Sequence, residues 1–111
     1  MAASSVIPPF VLALDIGSTA VRVGLYDCHA RPAVQTQVTR NPAPDGIENP
    51  DSLTEIVETA ITKTLAIATK EQTTSIAGFG MATFAGNFMG ITGTNEVCTP
   101  LYTYAHPGGG D

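Results

Sequence analysis

Tryptophan is absent from the 111 residues, and cysteine, histidine and basic side chains are all scarce. The two cysteines, Cys28 and Cys98, are too few and too far apart for a zinc cluster or a redox pair. His29 and His106 add no metal-ligand spacing, so unpaired thiols and solvent-facing imidazoles are expected. Five Lys and Arg against ten Asp and Glu leave a net charge of -5, and no basic run occurs anywhere in the chain. Nucleic acid and anionic membrane surfaces attract basic patches, so neither is expected as a partner. No apolar run approaches the ~20 residues needed to span a bilayer. The segment from Met1 to Phe10 has neither the basic start nor the long apolar stretch of a secretory signal. A soluble, cytoplasmic protein is the expectation.

Hydrophobic residues make up 43% of the chain and charged residues only 14%, which excludes a disordered composition. The length suits one domain or part of one. The run Phe10-Val11-Leu12-Ala13-Leu14-Asp15-Ile16, between Pro9 and Gly17, reads as a strand buried on both faces. Ala20 to Asp27 alternates, with Val21, Val23 and Leu25 on one side, so it reads as a half-buried strand after a tight hairpin at Gly17-Ser18-Thr19. Ala33 to Thr39 is polar and β-branched and reads as a more exposed third strand.

Three prolines and a glycine between Asn41 and Pro50 mark a loop. Two helix starts overlap after it: Asn49 capping with Pro50 in the first turn, or a capping box of Ser52 and Glu55. Leu53, Ile56, Val57, Ala60, Ile61, Leu65 and Ala68 then form one apolar stripe, which predicts a helix of four to five turns ending near Lys70. A fourth strand follows from Ser75 to Met81, then a small-residue stretch from Ala82 to Gly86. Phe88 to Thr92 and Val97 to Tyr102 flank Gly93-Thr94-Asn95-Glu96, the turn chemistry of a β-hairpin. The fold class is therefore α/β, in the order β-β-β-α-β plus a hairpin. Residues 1–9 are expected to form a disordered lead-in, 10–105 the folded part and 106–111 a frayed tail.

The segment from Asp15 to Arg22 carries the strongest chemical signal. A strand delivers an acid to its end and then turns on a glycine and two hydroxyl residues. A carboxylate there suits Mg²⁺, bound directly or through water. Consecutive turn amides make an anion-binding concavity, and Arg22 can add charge. Ordinary hairpin chemistry explains the same residues, with Asp15 accepting backbone bonds and Gly17 at positive φ. Thr83-Phe84-Ala85-Gly86-Asn87 reads as a small-residue loop where a ligand can approach the backbone, or as a simple bulge. Gly78-Phe79-Gly80 with Gly86 is not a dinucleotide loop, because no amphipathic helix opens after it.

Taken together, the segments Leu12 to Arg22, Asn49 to Leu53, Ile76 to Phe84, Gly90 to Thr92 and Thr99 to Ala105 resemble the amino-terminal lobe of the FGGY carbohydrate kinases. The first motif is shared with the wider actin-like ATPases, whereas the colinear set is particular to the sugar kinases. The resemblance implies an incomplete ribonuclease H-like fold: a three-stranded antiparallel meander, one helix, a further strand and a hairpin. It also implies ATP-dependent phosphorylation of a sugar or polyol hydroxyl between two lobes. By the same resemblance Asp15 helps place Mg²⁺, and Gly17, Ser18 and Thr19 face the ATP phosphates. Arg22 lies near those phosphates or forms a strand-stabilising ion pair, and Thr83, Phe84, Ala85, Gly86 and Asn87 contact the sugar.

Departures from the family pattern accompany the match. Ala85 and Gly86 stand where relatives place large polar or aromatic residues, and His106-Pro107-Gly108 stand where an acid and an arginine are usual. The family's catalytic base is an aspartate much further along, and none of Asp27, Asp45, Asp51 or Asp111 sits in a matching motif. No catalytic residue is assigned. The expectation is thus a truncated amino-terminal fragment, inactive alone and partnered by a second lobe, with an exposed sheet edge prone to pairing. The alternative is a non-catalytic fragment, or a module that binds sugar or nucleotide without phosphotransfer.

Overall fold

The computed structural model describes residues 6–71, 73 and 75–107. Strand β1 (Phe10–Ile16) runs antiparallel to β2 (Ala20–Tyr26), and β2 runs antiparallel to β3 (Pro32–Thr39). The chain then forms the short β4 (Ile47–Glu48) and the helix α1 (Pro50–Lys70). The helix returns it to β5 (Ile76–Thr83), which lies parallel to β1 and completes a sheet of order β3-β2-β1-β5. The expected meander, helix and further strand are all present. A last strand, β6 (Leu101–Tyr102), pairs with β4 rather than with the main sheet.

Alternation decides which face is core. Leu14, Ile16, Val21 and Val23 are buried against Ala60, with Leu53, Ile56, Val57 and Ile61 of the helix around them. Phe10, Leu25, Val34 and Ala68 form a second cluster at the other end. The sequence reading of β1 as buried on both faces needs correction: Val11 is 43% exposed and Asp15 is also exposed, because α1 covers only one side of the sheet.

Of the two possible helix starts, the Asn49 cap is used. Its Oδ1 accepts the Asp51 amide at 2.8 Å, and Pro50 occupies the first turn, where a missing N–H costs nothing. The buried stripe also differs by one position from the expected one. Thr64 is fully buried and Leu65 faces outward. Thr64 is tolerated inside because its hydroxyl donates to the Ala60 carbonyl at 2.9 Å and can then accept from the Thr36 hydroxyl of β3 at 2.6 Å.

The expected hairpin is only partly formed. Ile91 bridges Val97 and Phe88 bridges Tyr102, as isolated pairs out of step with each other. Pro100 has no N–H to give, and the Gly90 amide bonds to the Thr99 hydroxyl at 2.7 Å instead of to a backbone carbonyl. The ladder therefore slips between the two bridges.

Residues 1–5 of the proposed lead-in and 108–111 of the proposed tail lie outside the described residues. Within the remainder, Ile7 and His106 make contacts with the folded part. The Ile7 amide donates to Asp27 Oδ2 at 2.9 Å, and the Cys28 amide donates to the Ile7 carbonyl at 3.1 Å. His106 donates its amide to Thr103 O at 2.9 Å, and its ring lies 5.1 Å from that of Tyr102.

Candidate functional site

Parallel pairing of β1 and β5 brings the two sequence-predicted segments to one edge. Asp15 is in register with Ala82 and Ile16 with Thr83, and the Phe84 amide donates to the Ile16 carbonyl at 2.9 Å. The turn after β1 and the loop after β5 therefore leave the carboxyl ends of adjacent parallel strands, where ligands bind in open α/β sheets.

Asp15 points away from the helix, since its neighbours Leu14 and Ile16 point into the core. Its side chain is 58% exposed and lies 3.5 Å from Arg22, its cross-strand partner, itself 56% exposed. Arg22 Nε also donates to Gln37 Oε1 at 3.2 Å. Of the two roles weighed for Arg22, the geometry displays the ion pair. Such exposed pairs contribute only about 0–1 kcal/mol, so the carboxylate stays available to a cation. Asp15 and Arg22 line an open depression of about 410 Å³ together with Tyr26, Gln35 and Gln37.

The turn itself departs from the simple hairpin reading. Gly17 does not take positive φ. Its role is clearance: a Cβ there would sit 2.9 Å from the Ala20 carbonyl oxygen, which accepts the Gly17 amide. The carbonyls of the turn converge on Arg40, a residue absent from the sequence-derived candidates. Arg40 Nη1 donates to Gly17 O at 2.9 Å and to Ser18 O at 3.2 Å, and the Arg40 backbone amide donates to Thr19 O at 2.8 Å. Among the described residues, the Ser18 and Thr19 amides donate to no acceptor in the chain.

Arg40 is buried and forms an ion pair with Glu48, and its guanidinium carbon lies 5.2 Å from the centre of the Phe84 ring. No sequence signal marks it. It follows an exposed strand and opens a proline-rich loop, and its acid lies eight residues on in a two-residue strand.

The loop after β5 is split in role. Thr83 ends the strand, and Phe84 packs against the core beneath Arg40. Gly86 takes φ +77, and a Cβ on it would lie 3.0 Å from Tyr104 Cβ, so both backbone conformation and space require glycine. Asn87 donates from Nδ2 to the Phe84 carbonyl and closes the loop. A cavity of about 160 Å³ is bounded by Ser18, Glu48, Phe84, Thr103 and Tyr104, among others, so the turn and the loop share a wall. Both cysteines are exposed and unpaired. Among the described residues no helix is long and apolar enough to cross a membrane.

No family model matches the sequence, and no curated protein matches it. Solved structures do. A xylulose kinase from Brucella ovis superimposes with a TM-score of 0.73 at 22% identity, over 85% of this chain and 20% of that one. A gluconate kinase from Lactobacillus acidophilus gives 0.68 at 18% identity, over 87% of this chain and 20% of that one. A ligand-bound xylulose kinase from Lactobacillus acidophilus gives the same score, identity and coverages: 0.68, 18%, 87% and 20%. The chain shares a fold with these sugar kinases. It spans about a fifth of their length, at 20% of each.

Proposed function

We propose that the chain is the amino-terminal part of an ATP-dependent carbohydrate kinase of the FGGY type, with the ribonuclease H-like fold of that family and a sugar or polyol as acceptor. One observation carries the reading: the turn after β1 and the loop after β5 meet at a single strand-end edge, within a fold shared with gluconate and xylulose kinases. The donor set suits Mg·ATP. Asp15 offers an exposed carboxylate of the kind Mg²⁺ takes through its waters. Ser18 and Thr19 offer two unengaged amides and two hydroxyls in one turn. ATP, when bound, supplies the phosphoryl group to be transferred.

In this reading Gly17 lets the turn close tightly enough for its backbone to approach the phosphates, and Arg22 balances Asp15 until a cation replaces it. Thr83 to Asn87 border the acceptor. In this reading the base belongs to another part of the enzyme, and three aspartates among the described residues have other places. Asp27 is buried under hydrogen bonds, Asp45 accepts the Ile47 amide at 3.1 Å, and Asp51 sits in the first turn of α1. Such a kinase would work in the cytoplasm, beside its ATP.

Isotope-edited NMR of the 111-residue chain tests the reading. Magnesium tripolyphosphate should shift the Ser18 and Thr19 amides saturably, while sugar-dependent ATP turnover stays at background. Unmoved turn amides, or robust turnover by this chain alone, would overturn it.

A further inference from the structure

Resting on that reading of the turn, we infer that Arg40 is a positioning residue: it holds the Gly17-Ser18-Thr19 turn so that the amides of Ser18 and Thr19 face the phosphate side, without itself touching ligand. The geometry follows from peptide planarity. In a trans peptide the C=O of one residue and the N–H of the next point in opposite directions. Arg40 draws the carbonyls of Gly17 and Ser18 toward its guanidinium, and its backbone amide draws that of Thr19 the same way. The Ser18 and Thr19 amides are thereby turned away from Arg40, and they are the amides that find no acceptor among the described residues.

Only a guanidinium can do this together with its other contacts. Its planar fork reaches two carbonyls through Nη1 while Nη2 meets Glu48. Lysine, a single ammonium on a flexible stem, cannot hold both sets in fixed directions. Glu48 has a defined part: it neutralises a charge that would otherwise be too costly to bury. The guanidinium carbon also lies over the Phe84 ring, so the same side chain ties the loop after β5 to the turn after β1.

Binding of magnesium tripolyphosphate to the isotope-labelled chain, followed at Ser18 and Thr19 beside the thermal midpoint, separates positioning from mere bracing. Arg40→Lys should keep the sheet and helix resonances yet weaken binding at least about tenfold, as loss of charge-assisted hydrogen bonds implies. Glu48→Gln, which leaves Arg40 in place but uncompensated, should weaken binding less, and it carries the test if Arg40→Lys does not fold. Binding within twofold of the unmodified chain in the folded variants, with only the midpoint lowered, makes Arg40 a structural brace and overturns the inference. No response in the unmodified chain overturns the reading of the turn itself, and the inference with it.

Discussion

Asp27 shows how much one side chain can organise. It accepts the Ile7, His29 and Arg31 amides at 2.8 to 2.9 Å and Arg31 Nε at 3.1 Å, and pairs with the same guanidinium. Burial alone would raise its pKa, but these donors outweigh burial and hold the carboxyl well below the usual carboxylate range. A folded pKa below the unfolded value, about 4, means that the contribution to stability is complete above that pH and is lost as pH falls from there through the lower folded pKa. Asp27→Asn should therefore lower the thermal midpoint at neutral pH and make the acid limb of the stability profile shallower. Superimposable acid limbs for the two proteins would refute this. At this scale the sequence was only partly legible. Asp15, Gly17 and the Thr83 loop could be picked out because strand ends and glycines have local signatures. Arg40 and Thr64 could not, because their roles depend on partners that only the fold brings near: Glu48 with the turn carbonyls for Arg40, and Thr36 for Thr64.

The helix is the element most plainly written in the chain. Most of its apolar stripe, its amino-terminal cap and the proline in its first turn agree, as expected when local preference and tertiary packing coincide. The two overlapping start signals make different claims on single residues. Asn49→Ala removes the side chain that accepts the Asp51 amide and should cost about 1 kcal/mol. Ser52→Ala, already inside the helix and outside the cap, should fall within about 0.5 kcal/mol of neutral. Urea unfolding of both variants decides the point, and equal losses would show that the cap is shared. The hairpin was less legible, because turn residues at Gly93 to Glu96 announce a reversal but say nothing about register. Pro100 and the Thr99 hydroxyl break the ladder beyond that turn.

The whole molecule is a sheet with one covered side. Its radius of gyration, 16.8 Å, exceeds the ~13 Å of a compact chain this long. β5 forms an edge with no charged residue and no proline, two of the devices that ordinarily discourage edge pairing. Phe79 and Met81, in register with Leu12 and Leu14, project on the helix side of the sheet but remain 72% and 60% exposed. The isolated chain should accordingly self-associate as concentration rises, and Phe79→Lys with Met81→Lys should suppress this without lowering the midpoint. Sedimentation equilibrium checks it, and a monomer at all concentrations in the unmodified chain would contradict it. The succession of elements, β-β-β-α-β, was legible, but the place of β5 as a parallel neighbour of β1 came only from the fold, where the crossover helix returns the chain to that edge. The bareness of β5 was foreseen only as an exposed edge.

Among the described residues, the chain after Thr83 does not re-enter the main sheet. It builds a rim in which β6 pairs with β4, Gly46 fits against His106, and Tyr104 closes over Gly86. The scaffold and the rim thus differ in how much a substitution costs. Val21, Val23, Leu25 and Ala60 are locked by close packing, whereas much of the rim from Phe88 to Val97 lies open to solvent. Substitutions there should cost the fold little, whereas truncations among the sheet's buried residues would leave cavities.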